Sequence, residues 1–341
     1  MGDSVEKPVF NALDKRVARL VAGRCSKNRE VVELVVSLVS YQLRQGHVCL
    51  DLYSDPPAEI EPFLPDGLWP ALPGFLPECP VVSDEDPGDQ PLILSRKGKL
   101  YFHRYWHYER ELLQAVTDRC GGLSEEDRKS VVKSAEAGQT GFALSGEQQD
   151  AVATAMRSRL TLISGGPGTG KTSTIASLIV QSSATMEDVE SSIALAAPTG
   201  KAAQRMQQSL EKGLMTMDVK PLNIQATTVH RLLGYKRFSS QFRHDQKHPL
   251  PFQLVIIDEA SMLDLPLFAK LILAVAPEAR LVLLGDRHQL SSVEAGSIFG
   301  DLVEAADNRP PEELPFSRRQ PTPPPLPIGK IGGGRSSRPT D

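Results

Sequence analysis

The chain has 341 residues, 40% hydrophobic and 23% charged, with a formal net charge of -4, which allows an ordinary buried core in one or two domains and offers no global attraction for a polyanion. The four cysteines, Cys25, Cys49, Cys79 and Cys120, are scattered without a C-x-x-C pair, so neither a zinc ribbon nor a disulfide scaffold is expected and reduced thiols in a cytoplasm are the default. The start lacks the basic-then-apolar layout of a signal peptide, and the apolar run from Val31 to Leu43 contains Glu33 and is too short to span a bilayer, so no membrane role is expected.

Residues 8 to 118 mix helical segments with loops. Val31-Val32, Leu34-Val35, Leu38-Val39 and Gln42-Leu43 form an apolar helical stripe. The proline-dense stretch from Asp55 to Pro80 reads as an irregular connector. Pro91 to Leu94 and Lys99 to Phe102 flank Arg96-Lys97-Gly98 as a β-hairpin. Arg104 to Val116 reads as a helix burying Trp106, Leu112, Leu113 and Val116. His103 and His107 stand four apart, but with no third ligand in view they read as packing or surface residues rather than a metal site. The charged run from Ser124 to Lys129 reads as a solvated linker, and residues 119–139 separate this amino-terminal part from the remainder of the chain.

The segment from residue 140 onward carries the chemistry. Leu160 to Ser164 is an apolar, β-branched strand, and Thr172 to Gln181 has apolar residues at Ile175, Leu178 and Ile179, one helical face. Between them runs Gly165-Gly166-Pro167-Gly168-Thr169-Gly170-Lys171-Thr172-Ser173, a complete G-x-x-x-x-G-K-[ST] loop in its proper strand-to-helix setting. The glycines let successive N–H groups face phosphate oxygens, helped by the positive end of the helix dipole. Lys171 reaches the β and γ phosphates of ATP, and the Thr172 hydroxyl is a ligand for Mg²⁺.

Leu254 to Ile257 is a buried parallel strand running into Asp258-Glu259. Carboxylates at that end of an open α/β sheet sit beside the phosphates, with Asp258 holding Mg²⁺ through its water shell and Glu259 polarising the attacking water. Taken alone the pair could be an acidic turn; beside the loop it reads as catalytic. Leu281 to Leu284 is a further strand, ending in Gly285 to Leu290, where Gln289 is a candidate sensor of the γ-phosphate.

These strings in this order resemble superfamily 1 DNA helicases, and most closely the RecD family, the alpha subunits of exodeoxyribonuclease V. Ala197 to Ala203 is similar to motif Ia, Thr228 to Gly234 to a following DNA-side motif, Asp258 to Met262 to motif II, and Gly285 to Gly296 to motif III. Leu144 to Gln148 resembles the adenine-reading segment, which implies Gln148 as reader. Gly46 to Leu50 and Leu100 to Trp106 resemble the family's amino-terminal part. The resemblance runs from about residue 10 to 305.

It implies an ATP-dependent 5′ to 3′ helicase acting at single-stranded and double-stranded DNA ends with RecB and RecC, the nuclease lying on RecB. It further implies that Thr199, Lys201, Thr228 and His230 line the single-strand path, and that the amino-terminal part docks onto RecC. The expected fold is α/β: a RecA-like P-loop domain over 140–305 with a parallel sheet (strands near 160–164, 192–197, 254–258 and 280–284), preceded by a smaller, mainly helical domain over 1–118.

Beyond Val303 the composition turns to proline, glycine and scattered arginine, and residues 306–341 read as a disordered tail. The family's second RecA-like lobe and its arginines find no counterpart there, so truncation or a frameshift is expected, with nucleotide binding, feeble hydrolysis and no autonomous unwinding. Two other classes remain open: a non-catalytic assembly module, and a different P-loop ATPase such as a PhoH-like protein or a conjugative relaxase. The relaxase lacks its His-rich nicking centre here, and the long amino-terminal part and Thr228 to Gly234 disfavour the PhoH-like option.

Overall fold

The computed structural model describes residues 9–85, 88–120, 144–166, 168–217, 222–239, 241–287, 289, 298–307 and 328–330. They fall into two compact units, the first on residues up to Arg110 together with Asp264–Pro266, the second from Glu111 onward.

The first unit begins with two packed helices, α1 (Ala12–Ala22) and α2 (Arg29–Arg44). The start of α1 is fixed by a capping box, in which the Asn11 side chain accepts from the Asp14 N–H and the Asp14 carboxylate accepts from the Asn11 N–H. Asp14 is fully buried and also accepts from the Ser40 hydroxyl at 2.6 Å and the Arg44 guanidinium at 2.6 Å, pinning α1 to α2. Burial alone would raise its pKa, but the hydrogen bonds from Arg44, Ser40 and Asn11 hold it below the usual carboxylate range. The stripe read from the sequence lies inside α2, where Val32, Val35, Leu38 and Val39 are buried.

Then come β1 (Leu50–Asp51), α3 (Leu68–Phe75), β2 (Val82–Ser83), β3 (Leu92–Leu94) and β4 (Lys99–Phe102). The expected hairpin is present as the antiparallel pair of β3 and β4, with Ile93 opposite Tyr101. It lies within a small four-stranded sheet of order β1-β4-β3-β2, whose strands of two to four residues leave this part mainly helical, as expected. Helix α4 (His103–Cys120) comes next, burying Leu112 and Val116 while Trp106 and Leu113 are partly covered; the rings of His103 and His107 stack at 6.3 Å.

The second unit is a parallel six-stranded sheet. Its elements are α5 (Gly146–Arg157), β5 (Leu160–Ser164), α6 (Lys171–Ser183), α7 (Val189–Ser192), β6 (Ile193–Ala197), α8 (Gly200–Thr216), β7 (Ala226–Thr228), α9 (Val229–Leu232), β8 (Leu254–Ile257), α10 (Leu265–Ala274), β9 (Arg280–Gly285), α11 (Ile298–Asp307) and β10 (Ile328–Lys330). The strand order is β10-β5-β9-β8-β6-β7, and every pairing in it is parallel. Residues of one alternation, Ile163, Leu195, Ile256 and Val282, join a core with Ile175, Ile179, Met206 and Leu210. The other alternation, including Leu162, Val255, Ile257 and Leu283, is buried as well, as a parallel sheet covered on both faces requires. The α/β class is thus the one expected, and four of its strands lie where the apolar runs placed them.

Ile328 to Lys330 depart from the expected disordered tail. They pair with β5 in register, Ile328 opposite Leu162 and Lys330 opposite Ser164, because three backbone units can satisfy an open strand edge whatever their composition. The rest of the tail, the linker over 121–139 with its run from Ser124 to Lys129, and Ser292 to Gly296 lie outside the described residues. Among the described residues, no helix is long and apolar enough to cross a membrane.

Candidate nucleotide and strand site

The loop after β5 is held from both sides. The Gly165 N–H donates to the Gly285 carbonyl at 3.0 Å, tying its start to the end of β9, and the Thr169 hydroxyl donates to the Gly166 carbonyl at 2.9 Å. Gly170 sits at φ +81 and a Cβ there would collide with the Gln148 amide nitrogen, so only glycine fits. Lys171 opens α6 directly behind it. No side chain caps that helix and its first turn holds no acid, which leaves first-turn N–H groups and the dipole free for an anion. Pro167 lies outside the described residues; Gly168, Lys171, Thr172 and Ser173 lead the loop into the helix.

Gln148 has a second occupation. Its Oε1 accepts from the Ser145 N–H at 3.0 Å, completing a capping box at the start of α5, while its Nε2 donates to the Thr169 carbonyl at 3.0 Å. The side chain expected to read adenine therefore also steadies the phosphate loop. One N–H and one lone pair remain for a ligand.

Asp258 and Glu259 come directly after β8. The Asp258 N–H donates to the Ala196 carbonyl, extending the ladder with β6, and its Oδ1 accepts from the Glu259 N–H at 2.9 Å. Glu259 has φ +53, a left-handed backbone rare outside glycine, asparagine and aspartate. Its Oε2 is buried without a hydrogen-bond partner. Asp258 is pushed above the ordinary carboxylate range, first by burial and also by the Glu259 charge, against the lowering pull of the Glu259 N–H and of Lys171. A left-handed backbone and an unsatisfied buried oxygen thus fall on one residue beside the raised Asp258.

Two cavities meet at Asp258. The smaller, about 60 Å³, is shared by Thr172, Asp258 and Arg205. The larger, about 390 Å³, brings together Thr199, Lys201, Arg205, Asp258, Glu259 and Gln289. The Gln289 Oε1 accepts from the Ser261 hydroxyl at 3.3 Å. Thr199 is the N-cap of α8, accepting from the Ala202 N–H, and Thr228 is the N-cap of α9, accepting from the Arg231 N–H. Both cap residues end up at the carboxyl ends of adjacent strands, Thr228 lying opposite Ala197. His230 is exposed, its ring edge-on to Phe242 at 5.7 Å. Gln148, Thr228 and His230 line neither cavity. Arg205 went unremarked in the sequence, although its place four residues after Lys201 on one helix was the signal that could have found it.

Carboxylates, a threonine hydroxyl and an uncapped helix start are hard oxygen donors and an anion cradle. Such a set fits a hydrated divalent cation bridging to phosphates, since adjacent half-buried carboxylates are stabilised by a cation between them.

Two family models match the chain, the RecBCD enzyme subunit RecD N-terminal domain over residues 6–101 and an AAA domain over 148–295. The RecBCD enzyme subunit RecD of Mycolicibacterium smegmatis is 36% identical over 323 residues, covering 91% of this chain and 56% of that protein. The subunit of the same name from Haemophilus influenzae is 35% identical over 345 residues, with coverages of 88% and 52%. The ATP-dependent RecD2 DNA helicase of Deinococcus radiodurans is 33% identical over 228 residues, 64% of this chain and 28% of that protein. Among solved structures, the Pif1 helicase from Candida albicans gives a TM-score of 0.34 at 19% identity over 55% of this chain and 40% of that one, too slight a likeness to argue from. The chain spans about half the length of the curated RecD relatives it matches. Since its two matched stretches keep the order of an amino-terminal RecD module ahead of a nucleotide-loop module, and the likeness to named RecD subunits runs across both, the chain belongs to the RecD family.

Proposed function

We propose that this chain is the ATP-gripping part of a 5′ to 3′ DNA helicase subunit of a bacterial, cytoplasmic RecBCD-type complex for double-strand-break repair and recombination. The observation that carries the reading is that the uncapped start of α6, Thr172, Asp258 and Glu259 all lie at the carboxyl ends of strands of one parallel sheet, with Asp258 lining a cavity with each of Thr172 and Glu259. The N–H groups from Gly165 to Ser173 wrap the triphosphate, Lys171 neutralises its β and γ oxygens, and Gln148 offers its spare amide valences to adenine. Thr172 and, through water, Asp258 hold Mg²⁺, which when bound neutralises phosphate charge and polarises the γ-phosphoryl group. Glu259 orients the attacking water through its carboxylate. Gln289, beside it, reads the γ-phosphate. Thr199, Lys201, Thr228 and His230 form one wall of a single-strand path, and the amino-terminal unit docks onto RecC, with RecB completing the assembly at a DNA end.

Calorimetric titration of the 341-residue chain with ATPγS and Mg²⁺ tests this. Lys171→Ala is expected to weaken binding at least tenfold, about 1.4 kcal/mol or more, with an unchanged melting profile. Equal binding by that variant, or none by the parent chain, would end the proposal.

A further inference from the structure

Arg205 stands one helical turn after Lys201 in α8, so both side chains leave the helix on one face. With Asp258 it lines both cavities, sharing the small one with Thr172 and the large one with Glu259 and Gln289. The side chain is exposed, and it forms no hydrogen bond or ion pair among the described residues. Glu259 lines the same larger cavity, and its Oε2 is buried without a hydrogen-bond partner among the described residues. An unpaired guanidinium and a carboxylate side chain thus line one cavity.

Two cations a turn apart repel, and bringing either alone against a buried carboxylate costs its hydration. A phosphodiester changes that balance, because it neutralises the pair from the open side. A guanidinium can then use its planar fork on two acceptors at once, which an ammonium, a single point charge, cannot do in fixed geometry.

We propose that Arg205 is a positioning residue that couples the two ligands: a polynucleotide phosphate beside Thr199 and Lys201 takes one edge of its guanidinium, while the other edge donates to the Glu259 carboxylate, which lines the same cavity. This role rests on the nucleotide and strand sites proposed for the chain and adds the device that links them. The strand thereby fixes the carboxylate that orients water, and the bound nucleotide in turn tightens the strand, since such coupling is reciprocal.

The test is the affinity of a fluorescent ATPγS analogue with Mg²⁺, measured on the 341-residue chain alone and with saturating oligo(dT). In the parent chain the oligonucleotide is expected to tighten the nucleotide about fivefold or more. In Arg205→Gln and in Arg205→Lys the ratio is expected to fall below about twofold, because charge without the fork does not bridge. Retention of the full ratio in either variant overturns the proposal, as does a parent chain that binds both ligands without coupling. A parent chain that binds no nucleotide fails earlier, and defeats the site itself along with this role for Arg205.

Discussion

Burial raises the Asp258 carboxyl above the ordinary range, which means that the fold prefers it neutral. Stability from this group is full below its unfolded pKa and is lost as pH rises through the elevated folded value, so at neutral pH the charge is a cost to the apo chain. Asp258→Asn is therefore expected to raise stability in chelator by about 1 kcal/mol, the usual scale of a function-for-stability exchange. The same variant should lose the extra stabilisation that Mg²⁺ and ATPγS give the parent. Thermal melts with and without Mg²⁺ check both halves, and an Asn variant less stable than the parent in chelator would contradict the electrostatic account. Glu259 carries a different cost, a left-handed backbone at φ +53, directly after the strand β8 and its Asp258 extension.

The pairing of α1 with α2 depends on Asp14, whose pKa is lowered. A lowered carboxylate contributes stability above its unfolded pKa and loses it as pH falls through the folded value. The first unit is accordingly expected to soften below about pH 4, near the ordinary carboxyl pKa. Asp14→Ala should destabilise it at neutral pH by about 2 kcal/mol, less than a fully buried pair because the Arg44 side chain is 34% exposed. Circular dichroism melts from pH 7 to pH 3 would show this, and an acid-insensitive parent would refute it. Element by element, what the sequence disclosed tracks how local the signal is. The stripe of α2, the apolar runs of β5, β6, β8 and β9 and the loop before α6 are written in consecutive residues. Two-residue strands such as β1 and β2 carry no period to detect. Arg119 is the clearest loss: it is 6% exposed and its guanidinium donates to carbonyls of Ile272, Val275, Ala276 and Ala279, capping the end of α10 from a segment more than a hundred residues away in sequence. In the site, the loop and the acidic pair were legible as motifs, whereas the tie from Gln148 to Thr169 and the place of Arg205 depend on how α5 and α8 pack.

With a formal net charge of -4 over the molecule, attraction for a polynucleotide has to come from a few local cations such as Lys201 and Arg205. For two to three neutralised phosphates on a single strand, the logarithm of affinity for oligo(dT) should fall against that of KCl concentration with a slope of about -1.4 to -2.1. A slope steeper than about -4 would mean a distributed basic surface instead. On the same scale, β10 has a bearing on solubility. By lying along β5, it occupies the row of amide and carbonyl groups of Leu162 to Ser164 that β5 would otherwise offer outward as an edge strand. Any shortened polypeptide ending before Ile328 lays that row bare, and it becomes a template on which further copies can stack edge to edge.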